Sequence, residues 1–334
     1  MQNGLVPTSD PTAMTGPDSP GATRFQADLM YAAARLYYLE DANQAEVAKH
    51  LGTSRATVSR LLAEARRHGI VRIEVIAPSE PTDDDLAART AAALHLDAVY
   101  LSASSAANHV GRALAPALSS ALQGVGLVGG DVLLVSSGRT VYEATQFALP
   151  HLPGVLVAPT VGGQDESEAW FQTNEITREA AAKIGGHPAF LYAPALPGAA
   201  LFTSLQDDPS IRRVLELWQA AKCAVLGVGA PPLTRRSIPA FVPTNAASLR
   251  DAVGDVCSRF FDRSGAQVEF PGSDRLIAIG LDTLKQIPSS IAVAVGAEKV
   301  RGIMAGAQAG YFNQLVTDPD TAARLITAAA EEST

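Results

Sequence analysis

Short apolar runs that alternate with helical stretches constrain the fold of this chain more than any other feature of its sequence. From Asp84 onward, such runs occur at 97–102, 131–136, 154–160, 188–193, 222–228, 275–280, 290–295 and 311–317. Strands separated by helices form βαβ units, in which the strands run parallel and the helices cover the sheet. The pattern therefore predicts an α/β domain built on a doubly wound, largely parallel sheet.

A different pattern, near the N-terminus, predicts a helix-turn-helix. Residues 44–63 read QAEVAKHLGTSRATVSRLLA, with small Ala48 where two helices would cross and Gly52 at the turn, where glycine easily adopts a positive φ. Four apolar residues have the spacing that buries one face of each helix: Val47, Leu51, Val58 and Leu61. The sequence also predicts a preceding helix over 25–40, with apolar residues Leu29, Ala32, Ala33, Leu36 and Leu39.

The second helix of this motif carries side chains suited to DNA. Ser54 is placed to cap that helix. We predict contacts with base edges and phosphates from Gln44, Ser54, Arg55, Thr57, Ser59 and Arg60. A plain helical hairpin with a solvated face is the alternative interpretation. The following run at 70–76, IVRIEVI, fits either the wing of a winged helix-turn-helix or a linker strand.

The charge distribution indicates nucleic acid as a partner of the N-terminal part only. The chain has a net charge of −8, yet residues 24–72 carry eight Lys or Arg against five Asp or Glu. Residues 73–334 carry 18 basic residues against 27 acidic ones. A small basic unit before a large acidic one favours double-stranded operator DNA at one end of the chain.

Composition divides the chain into four parts. Residues 1–23 contain four prolines and almost no bulky apolar side chain, which is typical of a disordered tail. The stretch PSEP at 78–81 is a break between periodic segments. We therefore predict a tail over 1–23, a helix-turn-helix DNA-binding domain over 24–77, a linker over 78–85, and an effector-binding and oligomerisation domain over 86–334.

Other motifs argue against a membrane protein, a metalloprotein and a dinucleotide-binding enzyme. No apolar run reaches the roughly 20 residues of a membrane helix, and no secretory signal is visible, so we expect a cytoplasmic protein. Cys223 and Cys257 are far apart, and the histidines form no HExxH motif, so no metal site is expected. Residues 124–129, GVGLVG, match GxGxxG but follow a predicted helix and precede a strand, so no cofactor is expected.

Small-residue loops follow four of the predicted strands. They are SSGRT at 136–140, GGQD at 162–165, GVGAP at 227–231 and GAEK at 296–299. Each alone could be a tight strand-to-helix turn. Together, at the carboxyl ends of parallel strands and with Arg139 and Lys299 as positive charges, they favour a phosphate or polyol-phosphate site. The candidate residues are Ser136, Ser137, Gly138, Arg139, Thr140, Gly162, Gly163, Gln164, Asp165, Gly229, Glu298 and Lys299, with the Asp255 carboxylate available for sugar hydroxyls.

Five motifs carry a family resemblance over about residues 25–330. SRATVSRLL, SSGRT, GDVCSRFFD (254–262), VGAEKVRGI (295–303) and FNQLVTDPDTA (312–322) together resemble the SorC/DeoR-type sugar-binding transcriptional regulators. The resemblance implies a large domain like phosphosugar isomerases that senses an effector. It also implies a tetramer that represses sugar or polyol catabolism and responds to a sugar, polyol or sugar phosphate.

By the same resemblance, Ser137, Gly138, Arg139 and Thr140 match the phosphate-side loop, Asp255 matches the aspartate that recognises hydroxyls, and Lys299 matches the lysine of the last glycine loop. The chain departs from the family pattern at Ser137, where Trp is frequent, and in the acidic stretch QDESEAW at 164–170.

An enzyme is the alternative hypothesis: a phosphosugar isomerase with an appended DNA-binding module. Such an isomerase needs a general base and an acid close together. Asp255, Glu298 and Lys299 could serve, but no histidine lies in any of the four loops. The resemblance also favours a sensor over a catalyst.

Overall fold

The computed structural model describes residues 20–71, 81–103, 105, 110–235 and 237–332. The chain divides into two compact units between residues 77 and 78. The first unit consists of helices α1 (Pro20–Tyr38), α2 (Gln44–His50) and α3 (Arg55–Arg67). Residues 1–19 of the predicted tail and residues 72–76 of the predicted wing lie outside the described residues.

Helices α2 and α3 form the predicted helix-turn-helix. Asn43 caps α2 in a capping box, because its side chain accepts from the Glu46 backbone N–H while the Glu46 carboxylate accepts from the Asn43 N–H. Gly52 has a φ of +62° at the turn. Ser54 caps α3 by accepting from the Thr57 N–H at 3.1 Å, as the sequence indicated. The predicted apolar positions Val47, Val58 and Leu61 are buried, together with Ala48.

The predicted apolar face of α1 is partly wrong. The helix begins at Pro20 rather than at residue 25, so residues 20–23 of the predicted tail are helical. Leu29 and Leu39 are 41% and 77% exposed, whereas the buried face consists of Met30, Ala33, Ala34 and Leu36. The small alanine side chains let α1 pack closely on α3. The sequence interpretation gave more weight to the leucines, so it placed the buried face incorrectly.

The second unit contains nine further helices and ten strands in the described residues. The helices are α4 (Pro81–Leu94), α5 (Val110–Val125), α6 (Arg139–Thr145), α7 (Thr173–Ile184), α8 (Ala199–Asp207), α9 (Pro209–Gln219), α10 (Leu281–Leu284), α11 (Val300–Gln308) and α12 (Pro319–Glu332). The strands are β1 (Ala98–Leu101), β2 (Val132–Val135), β3 (Leu156–Pro159), β4 (His187–Pro188), β5 (Ala221–Gly229), β6 (Gly254–Val256), β7 (Arg259–Phe261), β8 (Gln267–Val268), β9 (Ser289–Val293) and β10 (Gln314–Thr317).

Seven of these strands form the parallel sheet that the sequence predicted, in the order β1-β10-β9-β5-β2-β3-β4. Alternate residues of each central strand enter two separate cores. Leu134 and Leu226 belong to the core on one face, while Leu133 and Val225 belong to the core on the other. Burial on both faces explains why these strands read as continuous apolar runs, and it identifies the sheet as doubly wound.

An antiparallel extension departs from this pattern. The end of β5 pairs with β6, which continues through hairpins to β7 and β8. The sequence placed residues 227–231 in a loop, but residues 227–229 belong to β5. Gly227 pairs with β9, and β6 pairs with residues 228 and 229. This extension brings Asp255 of β6 opposite Gly229 of β5.

Three other predicted boundaries are corrected. The strand at 188–193 reduces to His187–Pro188, and Pro188 has no N–H with which to continue the ladder. The run at 275–280 contributes an isolated bridge between Val161 and Ala278 instead of a strand. Helix α4 begins at Pro81, so residues 81–85 of the predicted linker are helical. None of the described helices is long and apolar enough to cross a membrane.

Candidate functional site

A cavity of about 1130 Å³ in the second unit opens at the carboxyl ends of β2, β5 and β9. This is the edge of a parallel sheet at which ligands bind in α/β proteins. The predicted residues in its wall are Ser137, Gly138, Arg139, Thr140, Gln164, Gly229, Asp255, Glu298 and Lys299. Four other predicted residues are not in the wall, namely Ser136, Gly162, Gly163 and Asp165.

Two glycines let the chain turn sharply from a strand into the cavity wall. Gly138 follows β2 with a φ of +121°, and Gly296 follows β9 with a φ of +115°. With ψ near 145° in both, this is a region of backbone space that glycine alone adopts readily. The first N–H groups of α6, which begins at Arg139, have no partner within the helix and can take an anion.

Lys299 lies in this wall with a hydroxyl, and no described carboxylate, as its hydrogen-bond partner. Its Nζ donates to the Thr140 Oγ1 at 3.2 Å, and no carboxylate of the described residues lies within salt-bridge distance of it. Burial lowers the pKa of the Lys299 ammonium, although the Glu298 and Asp255 carboxylates oppose that shift. A buried ammonium whose charged form is disfavoured gains from any anion that enters the cavity.

Arg139 is placed differently from Lys299. Its Nε lies 2.7 Å from the Glu143 Oε1, and its side chain is 70% exposed. Its guanidinium also lies over the Trp170 ring, 5.3 Å from the centroid. Arg139 therefore already has a counter-ion, and we expect it to contribute less to anion binding than Lys299.

Asp255 forms a buried ion pair that the sequence did not indicate. The Arg235 Nη1 lies 2.5 Å from the Asp255 Oδ1, and both side chains are less than one fifth exposed. The Arg235 Nε has no hydrogen-bond partner, and the guanidinium lies 5.6 Å from the centroid of Phe260. A Cβ on Gly229 would lie 1.9 Å from the Asp255 Oδ1, so only glycine leaves room for this pair.

Two further polar groups complete the wall. Gln164 is buried, and its Nε2 donates to the Ser137 Oγ at 3.1 Å while its Oε1 has no partner. Trp170 lines the cavity from a 3₁₀ turn at Ala169–Phe171. Its position in the acidic stretch QDESEAW was visible in the sequence, but the indole itself was not singled out. The only sequence signal for Arg235 is an arginine pair, 235–236, in a long irregular loop.

Three of the four predicted residues outside the cavity wall have structural roles. Ser136 is buried, and its Oγ accepts from the Gly227 N–H at 2.9 Å, which ties β2 to β5. The N–H groups of Gly162 and Gly163 donate to the Ile277 and Ala193 carbonyls, so they are not free for an anion. The described residues contain no cluster of His, Cys, Asp and Glu that could hold a metal ion.

The predicted DNA-contacting residues divide into two groups. Arg55, Ser59 and Arg60 are exposed on α3, and neither arginine is ion-paired with a described residue. The Ser54 and Thr57 hydroxyls instead hydrogen-bond each other at 2.9 Å. Gln44 is partly buried as the first residue of α2.

Comparisons with known proteins match both units. Residues 65–327 match the family described as "Putative sugar-binding domain", and residues 35–68 match region 4 of sigma-70. The chain is 28% identical to the sorbitol operon regulator of Klebsiella pneumoniae, over 88% of this chain and 96% of that protein. It is 31% identical to the deoxyribonucleoside regulator of Bacillus subtilis, over 91% and 98%. The crystal structure of the full-length Klebsiella regulator superposes with a TM-score of 0.72, covering 90% of this chain and 98% of that one.

The buried pair of Arg235 and Asp255 gives a prediction for stability. Arg235→Met leaves a buried carboxylate without its counter-ion and should lower the free energy of unfolding by about 3 kcal/mol. Arg235→Met combined with Asp255→Asn should cost less than the two single changes together. Urea unfolding followed by tryptophan fluorescence measures this, because both tryptophans, Trp170 and Trp218, lie in the second unit.

Lys222→Met is the matched control, since it breaks an ion pair with Asp131 whose lysine is 59% exposed. That change should cost much less than Arg235→Met does. Strict additivity of the Arg235 and Asp255 changes would contradict the coupling inferred from their contact.

Proposed function

Because the chain belongs to the SorC/DeoR family of sugar-binding transcriptional regulators, we propose that it represses a sugar or polyol catabolic operon and releases its operator when a phosphorylated sugar or polyol fills the cavity. The observation that carries this proposal is the partly buried Lys299 ammonium in the cavity wall beside Thr140, without a counter-ion among the described residues. We expect the protein to act in the cytoplasm, where its operator is.

A phosphate group complements the surroundings of Lys299. A dianion beside the ammonium would restore the charged form that burial disfavours. Its remaining oxygens could accept hydrogen bonds from the Thr140 hydroxyl and from the first N–H groups of α6. Hydrogen bonds to a charged acceptor are short and strong. Arg139 would add long-range attraction from the mouth of the cavity.

A polyhydroxylated body complements the polar groups beside Lys299. The Asp255 carboxylate and the Gln164 Oε1 accept hydrogen bonds, and the Arg235 Nε donates one. A sugar hydroxyl is both a donor and an acceptor, so it can satisfy both kinds of group. The names of two relatives agree with a sugar or polyol as ligand, since one is a sorbitol operon regulator and the other a deoxyribonucleoside regulator.

The protein is a transcriptional regulator rather than an enzyme, as its full-length relatives are. The cavity also suits binding better than isomerisation. No histidine lines it in the part of the chain that the structure describes. Asp255, the carboxylate considered above as a general base, forms an ion pair with Arg235.

Operator binding should depend on α3. Arg55→Ala and Arg60→Ala should each weaken binding to operator DNA by roughly 1–3 kcal/mol and relax base preference at the contacted position. Fluorescence anisotropy with an operator duplex and with single-base variants measures both effects. Arg178→Ala, which removes an exposed arginine of α7 in the second unit, is the control and should bind as wild type does. Wild-type binding by both α3 variants would show that another surface contacts DNA.

Assembly into a tetramer is part of the same proposal. One helix-turn-helix makes too few contacts for tight specific binding, so paired units on a pseudo-palindromic operator are expected. Light scattering should give a mass of about four chains with or without the operator. A monomer under both conditions would refute this part of the proposal.

Effector binding should depend on Lys299 more than on Arg139. Lys299→Met removes a buried charge-assisted contact and should raise the effector concentration needed for operator release on the order of tenfold to a hundredfold. Arg139→Met removes a guanidinium that Glu143 already neutralises, so its effect should be a few-fold at most. Operator release by sorbitol 6-phosphate and 2-deoxyribose 5-phosphate, followed by anisotropy, compares the two variants. Equal losses, or a larger loss for Arg139→Met, would overturn the assignment of Lys299.

A further inference from the structure

The turn that joins β6 to β7 has an unusual backbone. Cys257 and Ser258 are its two central residues, and their φ angles are +53° and +62°. A two-residue hairpin with positive φ at both positions strongly favours Asn and Gly, because other side chains crowd the backbone there. Among the described residues, the remaining non-glycine residues with positive φ are Asp41 and His95. Within the described residues, this turn is the place where two consecutive non-glycine residues have a positive φ.

The surrounding structure holds this turn in place. Val256 and Arg259, which flank it, pair with each other, and β6 pairs in turn with β5. The Arg259 guanidinium donates to the carbonyls of Ile279 and Ala278, both at 2.9 Å. Strained backbone persists where neighbours over-determine it, and such strain clusters at ligand-binding sites.

Both turn residues line the cavity, but only one of them has a free polar group. Burial raises the pKa of the Cys257 thiol to about 12, so this thiol stays protonated and unreactive. Ser258 is only 7% exposed, and within the described residues its hydroxyl has no hydrogen-bond partner. A serine in the left-handed region of backbone space lowers the stability of the folded protein.

We propose that Ser258 is a specificity determinant whose hydroxyl bonds to a hydroxyl of the effector next to Asp255. This inference rests on the proposed function, since it requires a polyhydroxylated phosphate in the cavity. Glycine would satisfy the backbone of this turn better than serine does. The backbone therefore does not explain why this position is serine. A hydroxyl in the cavity wall, three residues from Asp255, can instead contact a ligand.

The test separates backbone strain from ligand contact. Ser258→Gly removes both the strain and the hydroxyl, whereas Ser258→Ala removes the hydroxyl alone. His95→Gly is the matched control, because His95 is exposed, has a φ of +55° and does not line the cavity. Sorbitol 6-phosphate, ribose 5-phosphate and 2-deoxyribose 5-phosphate are titrated into the full-length wild-type protein by calorimetry, and the tightest binder serves as the probe.

Without ligand, Ser258→Gly and His95→Gly should each raise the Tm by about 2–4 °C. Affinity for the probe should fall roughly three- to tenfold in both Ser258 variants and stay unchanged in His95→Gly. Wild-type affinity in Ser258→Ala or in Ser258→Gly would overturn the proposal, since a merely structural serine changes the Tm alone. If none of the three probes binds the wild type while the operator is still bound, the proposed effector class fails and this inference fails with it.

Discussion

The double pairing of β5 is the constraint on which the site depends. Along most of its length β5 lies between the parallel strands β2 and β9, and at its end it turns to the antiparallel β6. The cavity lies where this pairing changes. Because Gly229 has no side chain, Asp255 and Arg235 can occupy the space beside the strand end. A fold built for a parallel sheet thus acquires a wall of polar groups at its carboxyl edge.

The polar groups of that wall are only partly satisfied by each other. Lys299 has a hydroxyl as its partner where an anion would suit it better, and the Gln164 Oε1 and the Arg235 Nε have none. Buried polar atoms without partners lower the stability of the free protein. A ligand that supplies those partners binds the folded state and stabilises it in proportion to its affinity. The same groups would therefore favour a ligand that offers both an anionic group and hydroxyls.

Much of the fold could be predicted from sequence, because strands buried on both faces are continuous apolar runs and the helix-turn-helix imposes spacing, size and capping at several positions. The sequence could also predict that Thr140 and Lys299 lie close together, since each follows the end of a parallel strand. Arg235 and Trp170 could not, because they come from irregular segments whose position depends on tertiary contacts. Gly162 and Gly163 show the opposite limit. A glycine pair after a strand has the same sequence signal whether its N–H groups meet a ligand or, as here, neighbouring carbonyls.

The central claim is that the compound that releases the operator does so from the cavity beside Lys299. Trp170 lies in the cavity wall, while Trp218 is buried elsewhere with its Nε1 donating to the Pro159 carbonyl. In a Trp218→Phe protein, Trp170 is then the only indole. Its emission should change with the effector concentration that releases operator DNA, and the two curves should share one midpoint. Operator release by the effector with no change in Trp170 emission would place the effector at another site and contradict the claim.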